Sequence, residues 1–202
     1  PASHVISLGL CSFSNSQPPR LEKPNASQEQ QVEKFSINDY LQGRCKNGSG
    51  ASRIYSRSIF EIFGPIEANC PTEDSTLLLR GLLLGEISVS AYTGVYYRTH
   101  DTNLSGEKLL PQMNLLGIIT QYVLDSTLAC NKKYITAHTY FSLLKYFSEV
   151  YEKRALYNIY LSSEKSFKAI CAILQSSKYT ITEKYRLLRK FMRNYFDIKR
   201  MQ

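Results

Sequence analysis

Apolar positions along the chain recur mostly three or four residues apart, the spacing of a helix with one buried face. From residue 53 onward this pattern is dense. Ile54, Tyr55, Ile59, Ile62 and Phe63 form one group, closed by Gly64-Pro65. Pro71-Thr72-Glu73-Asp74 opens the next, with Thr72 as N-cap and two acids in the first turn; Leu77, Leu78, Leu82 and Leu84 follow. Pro111 starts a third, whose face is read as Met113, Leu116, Ile119 and Tyr122/Val123, widened by Leu115, Ile118 and Leu124. Tyr134 to Tyr151 carries Ala137, Tyr140, Phe141, Leu144, Phe147 and Val150, and Leu156, Ile159 and Tyr160 extend it or form a separate turn. Ser163 caps a helix with Phe167, Ile170, Ile173 and Leu174. Thr180-Ile181-Thr182-Glu183 is a capping box that opens a last helix bearing Tyr185, Leu188, Phe191/Met192, Tyr195 and Phe196.

One segment supports two readings. Gly81 and Gly85, with Ser88, put small residues on one helix face, but Ile87, Val89, Ala91 and Val95 also alternate, so a strand over 87–97 competes. With no other sheet signal, the pattern predicts an all-α fold: a compact bundle of about six or seven helices with an irregular N-terminal arm. Leu116, Ile119, Leu144 and Phe147 are expected in its core.

The first quarter is different. Residues 1–26 are rich in Ser, Asn, Gln and Pro and read as an extended or disordered arm. Within it, HVISLGLCSF suits a strand or peptide docking on another surface. Ser27 to Gln30 spell a capping box, and Val32, Phe35, Tyr40 and Leu41 make a narrow stripe, so 27–43 reads as a docking helix. Residues 44–52, with small residues from Gly48 to Ser52, read as a flexible joint, and 53–202 as the helical domain. The joint fits an ordinary loop first, and it also fits a tether between a peptide and the domain that binds it.

Charge alters this picture. Residues 131–202 hold fifteen Lys or Arg against five Asp or Glu, while the rest of the chain is slightly acidic. The last helix concentrates the excess, and Arg189, Lys190 and Arg193 are its candidate contacts for an acidic partner. Val32, Phe35, Tyr40 and Leu41 are the second set of candidate partner-binding residues.

Signs of chemistry are sparse. There is no phosphate-binding glycine loop, no nucleophile elbow and no metal-binding histidine pair. His4, His100 and His138 are isolated from one another, and five cysteines show no ligand spacing. Neither a catalytic residue, a metal site nor a cofactor is therefore expected. Odd, scattered thiols and the lack of a signal-peptide pattern point to an intracellular protein, nuclear or cytoplasmic; no stretch is apolar enough to span a bilayer. These readings favour a non-enzymatic helical scaffold or adaptor that binds peptide segments of partner proteins and bridges a complex. The alternatives are a nucleic-acid-associated protein using the basic C-terminal half, and a secreted helical cytokine-like ligand.

Overall fold

A computed structural model describes residues 3–13, 32–46, 50–98, 113–162 and 167–200, with the side chains of 10, 12, 13, 162 and 194–200 excepted. The all-α expectation is overturned. Seven helices accompany a four-stranded mixed sheet among these residues. In chain order the elements are β1 (Ser3–Phe13), β2 (Val32–Phe35), α1 (Ile37–Leu41), β3 (Arg53–Tyr55), α2 (Arg57–Phe63), α3 (Glu73–Leu84), β4 (Glu86–Arg98), α4 (Leu115–Asn131), α5 (Ala137–Ser162), α6 (Phe167–Gln175) and α7 (Ile181–Arg200).

The strand order is β2-β4-β1-β3. β1 contains HVISLGLCSF, the stretch read as a docking strand, but it is an inner strand of the sheet rather than part of an irregular arm. It runs parallel to β4, with Ser7 opposite Val89, and antiparallel to β3, with Ile6 opposite Ile54. Its partners lie far along the chain, so no local pattern announces the pairing. Bulges also break the alternation between β1 and β4. At one of them Gly9 is required, because a methyl there would press on the backbone carbonyl of Tyr92.

The competing strand reading of 87–97 is the one the structure adopts, as β4. The docking helix expected over 27–43 is replaced in its described part by β2 and the short α1. Val32 and Phe35 are three apart, which fits one helix face, yet Phe35 sits in the sheet opposite Ile87. The capping box observed here is Ser36 with Asp39: the Ser36 amide donates to the Asp39 carboxylate at 2.9 Å. Arg44 also donates to that carboxylate, at 2.7 Å. These bonds hold the Asp39 carboxyl well below the usual carboxylate range, the Ser36 backbone contributing most. The box read at Ser27 lies outside the described residues, as do His100 and the cap read at Ser163.

Two compact units divide the chain, residues 1–104 with 116–146, and residues 105–115 with 147–202. In the first, one sheet face packs on α2 and α3 through Val5, Phe35, Ile59, Leu77, Leu78, Leu82 and Ile87. Gly81 is the contact point: a side chain there would overlap Val5. Of the segment read as a flexible joint, Gly50–Ser52 forms a 3-10 turn with Ser52 buried, and Arg53 donates to the Asp74 carbonyl at 2.8 Å. α2 ends at Gly64, which takes a left-handed φ of 72°.

α4 turns inward only part of the face read from its apolar residues: Tyr122 is buried and Ile119 half-buried, but Leu116 is not. Leu116 is 64% exposed, whereas Ile118, Gln121, Tyr122, Asp125, Ser126 and Ala129 are buried. The reason is Arg80, which is fully buried on α3 and takes Asp125 as its partner. Gln121 donates to the same carboxylate at 3.0 Å, and its own amide oxygen accepts from the Glu67 amide at 2.8 Å. Arg80 further donates to the Gly64 carbonyl at 2.8 Å and lies over the Phe63 ring. On α5, Leu143 rather than Leu144 is fully buried, and Phe147 is buried as expected.

Candidate partner-binding face

The second unit is built on its own small core. Tyr160 from α5, Ala169, Ile170 and Ile173 from α6, and Tyr179 from the following turn are buried together. Leu187 and Phe191 of α7 pack against them. The capping box read at the start of α7 is present: the Thr180 amide donates to the Glu183 carboxylate at 2.9 Å, and the Glu183 amide to the Thr180 hydroxyl at 3.3 Å. Glu183 also accepts from Lys153 of α5 at 2.6 Å. That bond, with those from Thr180, holds the Glu183 carboxyl below its usual value. The Tyr179 hydroxyl donates to the Lys153 carbonyl at 2.5 Å, and burial pushes that phenol up to about 12. Lys153 thus ties α5 to both the cap and the turn that precede α7.

α7 carries a second apolar row that its own unit does not cover. Ile181 is 87% exposed, Tyr185 67%, Met192 41% and Leu188 37%. Their spacing is four, three and four residues. At 100° per residue they occupy a strip about 60° wide, beside the row of Leu187 and Phe191. Lys184 stands on one border of the strip and Arg189 on the other. Arg186 and Arg193 lie further round on the exposed side. Among the described residues none of these four cations forms an ion pair.

Of the candidates read from sequence, Arg189 and Arg193 are exposed on α7, while Lys190 is half-buried and has a partner within the protein. Val32 is exposed on β2. Phe35 is buried in the sheet core, Tyr40 packs edge-on against Tyr146 with ring centres 5.2 Å apart, and Leu41 is half-buried. Val32, Phe35, Tyr40 and Leu41 belong to the first unit, and Arg189, Lys190 and Arg193 to the second. Sequence reading missed Ile181 as a member of the exposed row. The signal was there: a 4-3-4 spacing begins at the residue after the cap, parallel to Leu187 and Phe191.

Catalytic geometry is thin elsewhere. His4 Nδ1 lies 3.1 Å from the Ser56 hydroxyl and 3.0 Å from that of Ser58, but no carboxylate joins them among the described residues. His138 is exposed at the start of α5. No three His, Cys, Asp or Glu side chains converge on a common point among the described residues. No described helix is long and apolar enough to cross a membrane. No family model matches the chain, and neither does any curated protein or solved structure.

Proposed function

We propose that this protein is a non-enzymatic interaction module, an adaptor that docks a segment of a partner protein on the exposed face of α7. The observation that carries the reading is the uncovered row Ile181, Tyr185, Leu188 and Met192, bordered by Lys184 and Arg189, which form no ion pair among the described residues. Apolar surface of this kind is stabilised by burial, at about 25 cal/mol per Å² removed from water. The cations add preference for an acidic partner and speed the encounter. Five free thiols suit a reducing intracellular compartment, where such a partner would be met.

The test is selection of binders to the full chain from a displayed peptide library. Selected peptides are expected to combine acidic and apolar residues. They should bind the native chain and fail to bind a Tyr185→Asp/Leu188→Asp variant whose melting midpoint is unchanged. Peptides that bind the variant as well as the native chain would remove α7 as the site. Failure to select any peptide, with salt-sensitive retention of random-sequence DNA or RNA, would transfer the basic half to nucleic-acid binding.

A further inference from the structure

We infer that the partner segment is an acidic α-helix that pairs with α7 as a coiled coil. This rests on the reading of α7 as a partner face and adds what the partner must look like. The 4-3-4 spacing of Ile181, Tyr185, Leu188 and Met192 is that of alternating d and a positions in a heptad. Lys184 then falls at g and Arg189 at e, the positions that flank such a seam and face the other helix. Arg186 and Arg193 both fall at b, which explains why they stand away from the strip.

Three other occupants fit less well. A bilayer surface calls for a broad apolar face, and this strip is about 60° wide, narrower than the roughly 100° of an ordinary amphipathic helix. Phosphate binding makes no use of an apolar row. A second copy of α7 offers these cations no opposite charge. In a parallel pair Lys184 faces Arg189 of the other copy, and like charges oppose that arrangement. In the antiparallel register that stacks Ile181 on Met192 and Tyr185 on Leu188, Lys184 and Arg189 face Phe191 and Thr182 of the other copy and gain no opposite charge. A partner with Glu at those flanking positions meets attraction in either one.

α7 is prepared for this role. Leu187, Phe191, the Thr180–Glu183 box and the Glu183–Lys153 bond already hold the helix in place. The partner therefore meets an ordered helix, and only its own segment is ordered on binding.

The experiment uses the full chain and fluorescence anisotropy with three labelled peptides. The first has Leu at every a and d position and Glu at every e and g position. The second has the same composition in shuffled order. The third carries Lys in place of the flanking Glu. The native chain should bind the first about tenfold more tightly than the second, and should not bind the third. A Lys184→Glu/Arg189→Glu variant should lose about tenfold for the first peptide and gain binding to the third. Equal binding of ordered and shuffled peptides, abolished in both cases by Leu188→Asp, would overturn the coiled coil and leave the docking face standing. Binding of the first peptide that survives Leu188→Asp unchanged would overturn both.

Discussion

Arg80 and Asp125, forty-five residues apart in the chain, meet inside the first unit through two hydrogen bonds of 2.7 and 3.1 Å. Both side chains are removed from water, at 0% and 4% exposure. Burial pushes the Asp125 carboxyl up, and the guanidinium opposes that shift. The pair sets which face of α4 turns inward.

Removing one partner leaves a buried charge without compensation. Asp125→Ala should cost about 3–5 kcal/mol. Arg80→Met with Asp125→Leu should cost less than the two single changes added together, because neither charge is then stranded. Urea unfolding of the four proteins measures this. Additive losses would show that the two residues contribute independently.

Gly81 touches Val5 so closely that a methyl group has no room. In an exposed helix interior, Gly→Ala stabilises by about 1 kcal/mol. Here Gly81→Ala should destabilise, by about 1–3 kcal/mol from overpacking. Adding Val5→Ala should recover part of the loss by making space. If Gly81→Ala is stabilising on its own, α3 stands farther from β1 than described.

Phe147 and Leu116 are both apolar helix residues, yet one is 1% and the other 64% exposed. Phe147→Ala should cost about 3–5 kcal/mol, lost transfer energy plus a cavity. Leu116→Ala should stay within about 0.5 kcal/mol. Thermal melting of the two variants separates them. A comparable drop for both would restore the α4 face read from sequence.

Glu183 brings a pH dependence. Its carboxyl is held below the ordinary value, chiefly by Lys153. A lowered folded-state pKa means that the stabilisation is present above the unfolded pKa, about 4.3 for Glu. It is lost as pH falls from there through the lowered folded value. The pair is solvent-screened, so its worth lies within about 0–1 kcal/mol. Glu183→Gln should lower the melting midpoint slightly at neutral pH and flatten its decline on acidification. Parallel acid profiles for native and variant would mean that the bond to Lys153 contributes nothing.

Local chemistry marked much of the helical part in advance. α3 does begin after Thr72, but the Thr72 side chain makes no capping bond. The stop at Gly64 and the Thr180–Glu183 box were legible, because a cap involves residues only a few positions apart. The sheet was not. β1 and β4 pair Ser3 with Glu86, and such a partnership has no local period; bulges then erase the alternation that would have hinted at it. Val32 and Phe35 show the same difficulty at short range, since a spacing of three suits a helix until the chain meets Ile87 and Ser90 across a strand.

Within helices, the sequence by itself determined the stop at Gly64, the box that opens α7 and how charge is distributed along α7. Only the tertiary structure decided which residues face inward. α4 turns Asp125 toward the core and Leu116 toward water because Arg80 is already buried across from it. α7 carries two apolar rows, and the small core around Tyr160 and Ile170 covers Leu187 and Phe191 while leaving Tyr185 and Leu188 exposed. A residue's polarity is its own, but its burial depends on the surface that another part of the chain brings against it.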